Sequence, residues 1–406
     1  MAAYRTLDDV DVAGKTVLVR VDFNVPMKDG AVTDATRIDR ALPTIQELSK
    51  KGAKTLLLSH YGRPKGKPDP ELTLAPVRKV LSDKLGGPVE FAEDCIGDAA
   101  RKVVKRLIDG DVALLENTRF HPGEEQNDFA FARQLAELGD IYVNDAFSAA
   151  HRAHASTVGI AYVLPSAVGR AMERELDYLK AALSEPVRPM MAVVGGAKVS
   201  TKIELLLNLV SRADILAVGG AMANTFLYAQ GQSVGKSLCE PDLAATALEI
   251  IAQAKQSGCD LVLPVDVVVA KEFAEGADRE VRAPDGVAAD EMILDLGPET
   301  TDLIAEKIES AKTLVWNGPL GAFEIKPFDT ATVEAARFAA RRVKEAGLVA
   351  VAGGGDTVAA LAAADVVKDF TYVSTAGGAF LEWLEGKTLP GVAALEASAA
   401  KQTEGA

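Results

Sequence analysis

All four histidines, His60, His121, His151 and His154, fall within the first 154 residues, each near an arginine in SHYGRP, TRFHP or HRAH. Arg20, Arg37, Arg63, Arg119 and Arg152 sit at or just beyond the ends of short apolar runs. A planar guanidinium grips carboxylate or phosphate through paired hydrogen bonds. One such arginine reads as a solvated ion-pair partner, but five at strand ends point to a small, multiply anionic ligand. Asp22 and Asn24 in RVDFNVP add groups suited to substrate hydroxyls, although an Asp at a strand end also caps turns. His151 and His154, three apart, would share one helix face as metal ligands, but only Asp145 offers a third donor, so no metal centre is expected there.

The second half carries a different chemistry. VVGGAKVSTKIEL places Gly195 and Gly196 between a strand and a helix bearing Lys198 and Lys202, four apart and facing one direction. Glycines let backbone approach a phosphate, a helix N-terminus offers unpaired N–H groups, and lysines add charge. AGGGDT at 352–357 and STAGGAF at 374–380 are two further glycine loops after apolar strands, and three such loops suggest a nucleotide. Asp356 is either a magnesium ligand or an N-cap. WNGPLGAFE brings Glu324 where it could hold ribose hydroxyls. GQSVGKS at 231–237 is one residue short of a phosphate-binding P-loop and lacks a leading strand, so it is rejected as one.

These residues need strands that end on a common edge. Apolar runs at 16–22, 55–60, 112–117, 141–145, 191–195, 214–219, 260–265, 313–317, 348–353 and 372–375 alternate with segments of helical period, which predicts an α/β protein with parallel sheets. Open parallel sheets place ligands beyond the strands' carboxyl ends. The segment 165–189, apolar at helical spacing and closed by two prolines, reads as a linker helix. The expected domains are 1–170, a hinge helix at 171–189, and 190–389, with the tail 390–406 packing back on the first.

The chain has 406 residues, enough for two or three domains. Its net charge of -14 disfavours nucleic acid and anionic membranes as partners. Cys95, Cys239 and Cys259 form neither a disulfide framework nor a zinc spacing, and no run of 18 apolar residues or secretory leader is visible. A cytoplasmic protein is expected.

RVDFNVP, DATRI, LSHYGRP, LLENTRF, VNDAFSAAHRAHAS, VGGAKVSTKI, WNGPLGAFE, GGGDT and STAGGAFLEWLEG together resemble the phosphoglycerate kinase family, in order and over nearly the whole chain. The resemblance implies two Rossmann-like domains, each a mostly parallel sheet flanked by helices, and a monomeric kinase that transfers the acyl phosphate of 1,3-bisphosphoglycerate to magnesium ADP. By the same resemblance Asp22, Asn24, Arg37, His60, Arg63, Arg119 and Arg152 form the 3-phosphoglycerate site. Lys202, Glu324, Gly354, Gly355, Asp356 and Thr357 bind ADP or ATP, Asp356 takes Mg²⁺, and Arg37, Lys198, Lys202, Gly377 and Gly378 lie at the transferring group. The chain departs from the family pattern at Tyr61, Thr118, Ser148, Ala149 and Ala376, of which Ala376 alone touches the expected chemistry and is tolerable there if its φ is negative. A dinucleotide-dependent dehydrogenase would need GxGxxG opening a helix with an acid about 20 residues on, which no segment supplies. A non-catalytic descendant would be expected to lack Lys202, Arg37 or Asp356, and all three are present.

Overall fold

The computed structural model describes residues 4–404. It divides into two compact units, one built from the chain up to Leu176 together with the segment from Thr388 onward, the other from Asp177–Lys387.

Among the described residues of the first unit, β1 (Thr16–Arg20) leads into a two-stranded hairpin, β2 (Met27–Lys28) and β3 (Ala31–Val32). The sheet continues with β4 (Lys54–Leu58), β5 (Val89–Ala92), β6 (Val112–Leu115), β7 (Ile141–Asn144) and β8 (Ser166–Val168). All pairings are parallel, in the order β5-β6-β4-β1-β7-β8. Helices cover both faces, so the strands read as unbroken apolar runs such as VALL, buried throughout. Val17, Val19, Leu57, Leu114 and Val143 pack against Ile38, Ile45 and Leu48 of the helix Thr36–Lys50. The C-terminal helix Pro390–Glu404 packs on β8, and the Gly391 N–H donates to the Ala150 carbonyl at 2.8 Å.

In the second unit β9 (Met190–Val194), β10 (Ile215–Val218), β11 (Asp260–Val262), β15 (Thr313–Asn317), β16 (Val349–Gly353) and β17 (Tyr372–Ser374) form a parallel sheet ordered β11-β10-β9-β15-β16-β17. Between β11 and β15 the chain builds an antiparallel sheet of β12 (Val267–Ala270), β13 (Arg279–Arg282) and β14 (Met292–Leu296).

The order reverses between β1 and β7 in one unit and between β9 and β15 in the other, because successive connections leave the neighbouring strands in opposite directions. Such switch points open a crevice at the carboxyl ends. Several strands end earlier than the sequence suggests, since the residues after Leu58 or Leu115 leave the ladder to make side-chain contacts.

The expected linker helix over 165–189 requires correction. Ser166–Val168 pair with β7, the helix runs over Arg170–Leu179, and a π-helical turn follows at Lys180–Ser184. The helix starts where it does because Asp145 Oδ1 accepts the Ala171 and Met172 N–H groups at 2.8 and 3.1 Å.

Candidate active site

In the first unit, the crevice beside β1 collects side chains from the ends of β1, β4, β6 and β7. Arg20, the last residue of β1, is buried, and its guanidinium is committed to protein partners: Nε donates to Ser156 Oγ at 2.8 Å, Nη1 to the Val21 carbonyl, and Nη2 to His60 Nδ1 at 2.9 Å. It is therefore a support and not the anion grip its position suggested. Because Nδ1 accepts, His60 carries its proton on Nε2 and offers that N–H as a donor. Burial, then the charges of Arg20, Arg119 and Arg152, hold His60 well below the usual histidine range. Burial and the same three arginines, Arg119 foremost, bring His154 down to about 3. Both rings are neutral at pH 7.

Arg37 lies in the first turn of Thr36–Lys50, where Nη1 donates to Asp22 Oδ2 at 2.8 Å and to the Asn24 carbonyl at 3.1 Å. Asp22 also accepts from the Ser148 hydroxyl, a partner the sequence reading noted only as a departure from pattern. Asn24 Oδ1 accepts the Gly62 N–H at 3.0 Å while Arg119 Nη1 donates to the Gly62 carbonyl at 2.9 Å, so three strand-end loops meet at one residue. Arg119 is buried, and its Nε lies 3.3 Å from Glu125 without hydrogen-bond geometry, which leaves that N–H unpartnered. Arg152 Nε donates to His151 Nε2 at 3.2 Å, and Arg63 is exposed. His151 lies in a turn and His154 in irregular chain, so they do not share a helix face.

The two neutral imidazoles give a prediction with a definite sign. His154 has a depressed pKa when folded, so its stabilising share is present above about 6.5 and is lost as pH falls toward about 3. Each such proton steepens the loss by about 1.4 kcal/mol per pH unit. Melting temperature measured from pH 7 to 4 should fall less steeply for His154→Asn than for the native chain; equal slopes would show that His154 takes up no extra proton on unfolding.

In the second unit, Lys202 precedes the helix Ile203–Val210 and turns back into the crevice between β9 and β15. Its Nζ donates to the Gly195 carbonyl at 2.5 Å, to Asn317 Oδ1 at 2.7 Å and to the Asn317 carbonyl at 3.2 Å. Burial lowers the ammonium to about 8, with Asp356 opposing the shift. Lys198 lies before the short turn Val199–Thr201 and is exposed, so the expected pairing of the two lysines on one helix face does not occur. The helix begins only at Ile203, because the chain first has to clear the Gly195 turn. That turn is tight: a Cβ on Gly195 would come within 1.8 Å of the Pro319 carbonyl oxygen, and Gly318 holds φ +103°.

Asn317 Nδ2 donates to the Gly353 carbonyl at 2.7 Å, and Thr357 Oγ1 accepts the Gly318 N–H at 2.7 Å, joining the β15 and β16 loops. Gly354, not Asp356, is the N-cap of the helix Gly355–Ala363; Asp356 projects exposed from its first turn. Gly377 caps the helix Gly378–Leu384 with φ +56°, and Ala376 is not among the described residues of positive φ. A cavity of about 460 Å³ opens here, lined by Gly196, Leu238, Phe273, Leu320, Glu324 and Asp356 among others. Its apolar wall of Leu238, Phe273 and β14 was missed by sequence reasoning, since those residues carry no charge and come from distant segments. Lys236, from the rejected GQSVGKS string, lines it too, although no strand leads into that string.

One unit thus presents clustered arginines and neutral imidazoles, and the other an apolar cavity edged by glycines, Lys236 and the carboxylates Asp295, Glu324 and Asp356. These are the features of a two-domain kinase acting on a small anionic metabolite and a nucleotide. The family model described as phosphoglycerate kinase matches residues 7–387. The chain is 61% identical over 397 residues to the phosphoglycerate kinase of Chelativorans sp. (strain BNC1), covering 98% of this chain and all of that one. It is 63% identical over 390 residues to that of Sinorhizobium medicae (strain WSM419), covering 96% and 98%. The solved phosphoglycerate kinase from Coxiella burnetii superposes with a TM-score of 0.91 at 44% identity, covering 97% of this chain and 98% of that one. The enzyme from Pyrococcus horikoshii OT3 gives 0.80 at 33%, covering 98% and 100%. The chain belongs to the phosphoglycerate kinase family.

Proposed function

We propose that the chain reversibly transfers the acyl phosphate of 1,3-bisphosphoglycerate to ADP, giving 3-phosphoglycerate and ATP in glycolysis. It is a phosphotransferase with a carboxyl group as acceptor. The observation that carries the assignment of roles is the segregation of chemistry: arginines and neutral imidazoles in one unit, apolar cavity and glycine loops in the other.

The 3-phosphoglycerate half-site consists of Asp22, Asn24, Arg37, His60, Arg63, Arg119 and Arg152. The His60 Nε2–H is a donor suited to anionic oxygens, and the buried Arg119 guanidinium adds positive charge behind it. The nucleotide half-site consists of Lys202, Glu324, Gly354, Gly355, Asp356 and Thr357. The family implies Mg²⁺, and the exposed Asp356 carboxylate at the cavity rim fits it, since Mg²⁺ takes one or two protein carboxylates beside substrate phosphates. When bound, the ion would neutralise nucleotide phosphate charge.

An ADP phosphate oxygen is already ionised and the leaving group is a carboxylate, so the reaction requires neither a general base nor a protein nucleophile. What remains for the protein is positioning and charge stabilisation. Arg37, Lys198, Lys202 and the N–H groups of the loop with Gly377 and Gly378 neutralise the equatorial oxygens of the transferring group. Arg37 and Lys202 belong to different units, and the mechanism has domain closure, hinged at 171–189, bring both to one phosphoryl group. One chain supplies both half-sites, so a monomer suffices. The three free cysteines suit a reducing cytoplasm, and no described helix is long and apolar enough to cross a membrane.

A coupled assay for ATP formation from 1,3-bisphosphoglycerate and magnesium ADP tests the reading; tight binding of both ligands without ATP formation would mark a non-catalytic descendant. The half-sites are separable by calorimetry. Glu324→Ala should weaken nucleotide binding and leave 3-phosphoglycerate affinity nearly intact, while Arg63→Ala should do the reverse. A uniform or swapped pattern contradicts this map.

A further inference from the structure

Asp94 and Cys95 follow β5, and His121 follows β6 beyond the turn Thr118–Phe120. β5 and β6 are adjacent and parallel, paired from Val89 with Val112 to Ala92 with Leu115, so their carboxyl ends deliver both loops to one place. There the carboxylate, thiol and imidazole donor atoms all lie within 4.8 Å of one another, and His121 Nε2 is 2.7 Å from Asp94 Oδ1. The Phe131 ring stacks on His121 at 5.1 Å and fixes its plane. Cys95 is fully buried, while Asp94 and His121 keep 41% and 28% of their side chains exposed, which leaves a solvent-facing side.

We propose that Asp94, Cys95 and His121 form a binding site for a borderline-soft divalent cation, Zn²⁺ being the ion their donor set suits. Tetrahedral Zn²⁺ takes sulfur at about 2.3 Å and nitrogen or oxygen at about 2.0–2.2 Å, which sets its donors roughly 3.3–3.6 Å apart. Small side-chain rotations meet that spacing: Asp94 and His121 part slightly, and Cys95 approaches. Binding breaks the hydrogen bond that His121 Nε2–H donates to Asp94, shifts the imidazole to the tautomer protonated on Nδ1 so that Nε2 offers its lone pair, forms one bond from each donor to the metal, and releases the thiol proton to solvent. Water completes the fourth position on the exposed side. Cysteine spacing alone could not reveal this site, because it contains one cysteine and two other donor types. It is also separate from the Mg²⁺ position at Asp356, which lies in the other unit.

Cobalt is the probe, since a thiolate bound to Co²⁺ gives a charge-transfer band in the near ultraviolet and four-coordination gives intense visible bands. The full chain, stripped with chelator and titrated with Co²⁺, should develop both at one equivalent, and Zn²⁺ should bleach them. Cys95→Ser should lose the charge-transfer band, and His121→Asn should weaken Co²⁺ binding at least about tenfold. Cys239→Ser and Asp356→Asn should keep the full spectrum, with circular dichroism verifying the fold of each variant. No sulfur band in the native chain, or an undiminished band in folded Cys95→Ser or Cys95→Ala, overturns the proposal.

Discussion

Lys202→Ala is expected to lower turnover about 100-fold or more while the chain keeps its circular dichroism spectrum. The ammonium sits in the crevice between β9 and β15, held by the Gly195 carbonyl and both oxygens of Asn317, so its position is fixed before any ligand arrives. A preorganised cation of this kind contributes most where charge develops in the transition state. Removing one such group typically costs about 100-fold to 1000-fold in turnover. The same ammonium also ties two loops together, so Lys202→Met, which keeps an apolar stem in the crevice, separates lost charge from lost packing. Both variants should be impaired alike. Turnover within a few-fold of the native chain in either would remove Lys202 from the catalytic set.

Arg37→Ala carries the second large effect, again about 100-fold in turnover. Among the described residues only Nη1 of its guanidinium is engaged, by Asp22 and Asn24, and the side chain is 36% exposed, so donors remain for a ligand. The kinetic signature distinguishes roles. A fall in turnover with a modest change in 3-phosphoglycerate KM marks transition-state stabilisation, whereas a raised KM at unchanged turnover marks ground-state binding and contradicts the assignment. The proposed mechanism has Arg37 and Lys202 act on one phosphoryl group, so it requires the double variant to lose less than the product of the single losses.

The central strands were legible because buried parallel strands are written as apolar runs: VALL and MMAVV are apolar throughout, and TVLVR and TLVWN are apolar at their three middle residues. β5 escaped notice because VEFA exposes Glu90 at a sheet edge, and β8 because Ser166–Val168 fell inside the segment read as a linker helix. β13, REVR, is almost entirely exposed and carries no burial signal at all.

The site was legible in its residue types and less so in their roles. Arg20 and Arg37 have the same chemistry and both stand near the end of β1 or in the helix beyond it, yet burial assigns one to hold His60 and leaves the other open to ligand. Likewise, helical spacing put Lys198 beside Lys202, but the tight glycine turn delays the helix and separates them. The apolar wall of the cavity in the second unit depends on tertiary proximity alone, which no local pattern encodes.

Closure is the step on which the proposed mechanism depends, because in-line transfer needs reacting atoms roughly 3 to 3.5 Å apart with water excluded. Small-angle X-ray scattering tests it most directly. The account predicts a smaller radius of gyration with 3-phosphoglycerate and a non-hydrolysable magnesium nucleotide bound together than with neither ligand. An unchanged radius at saturating concentrations of both would contradict it.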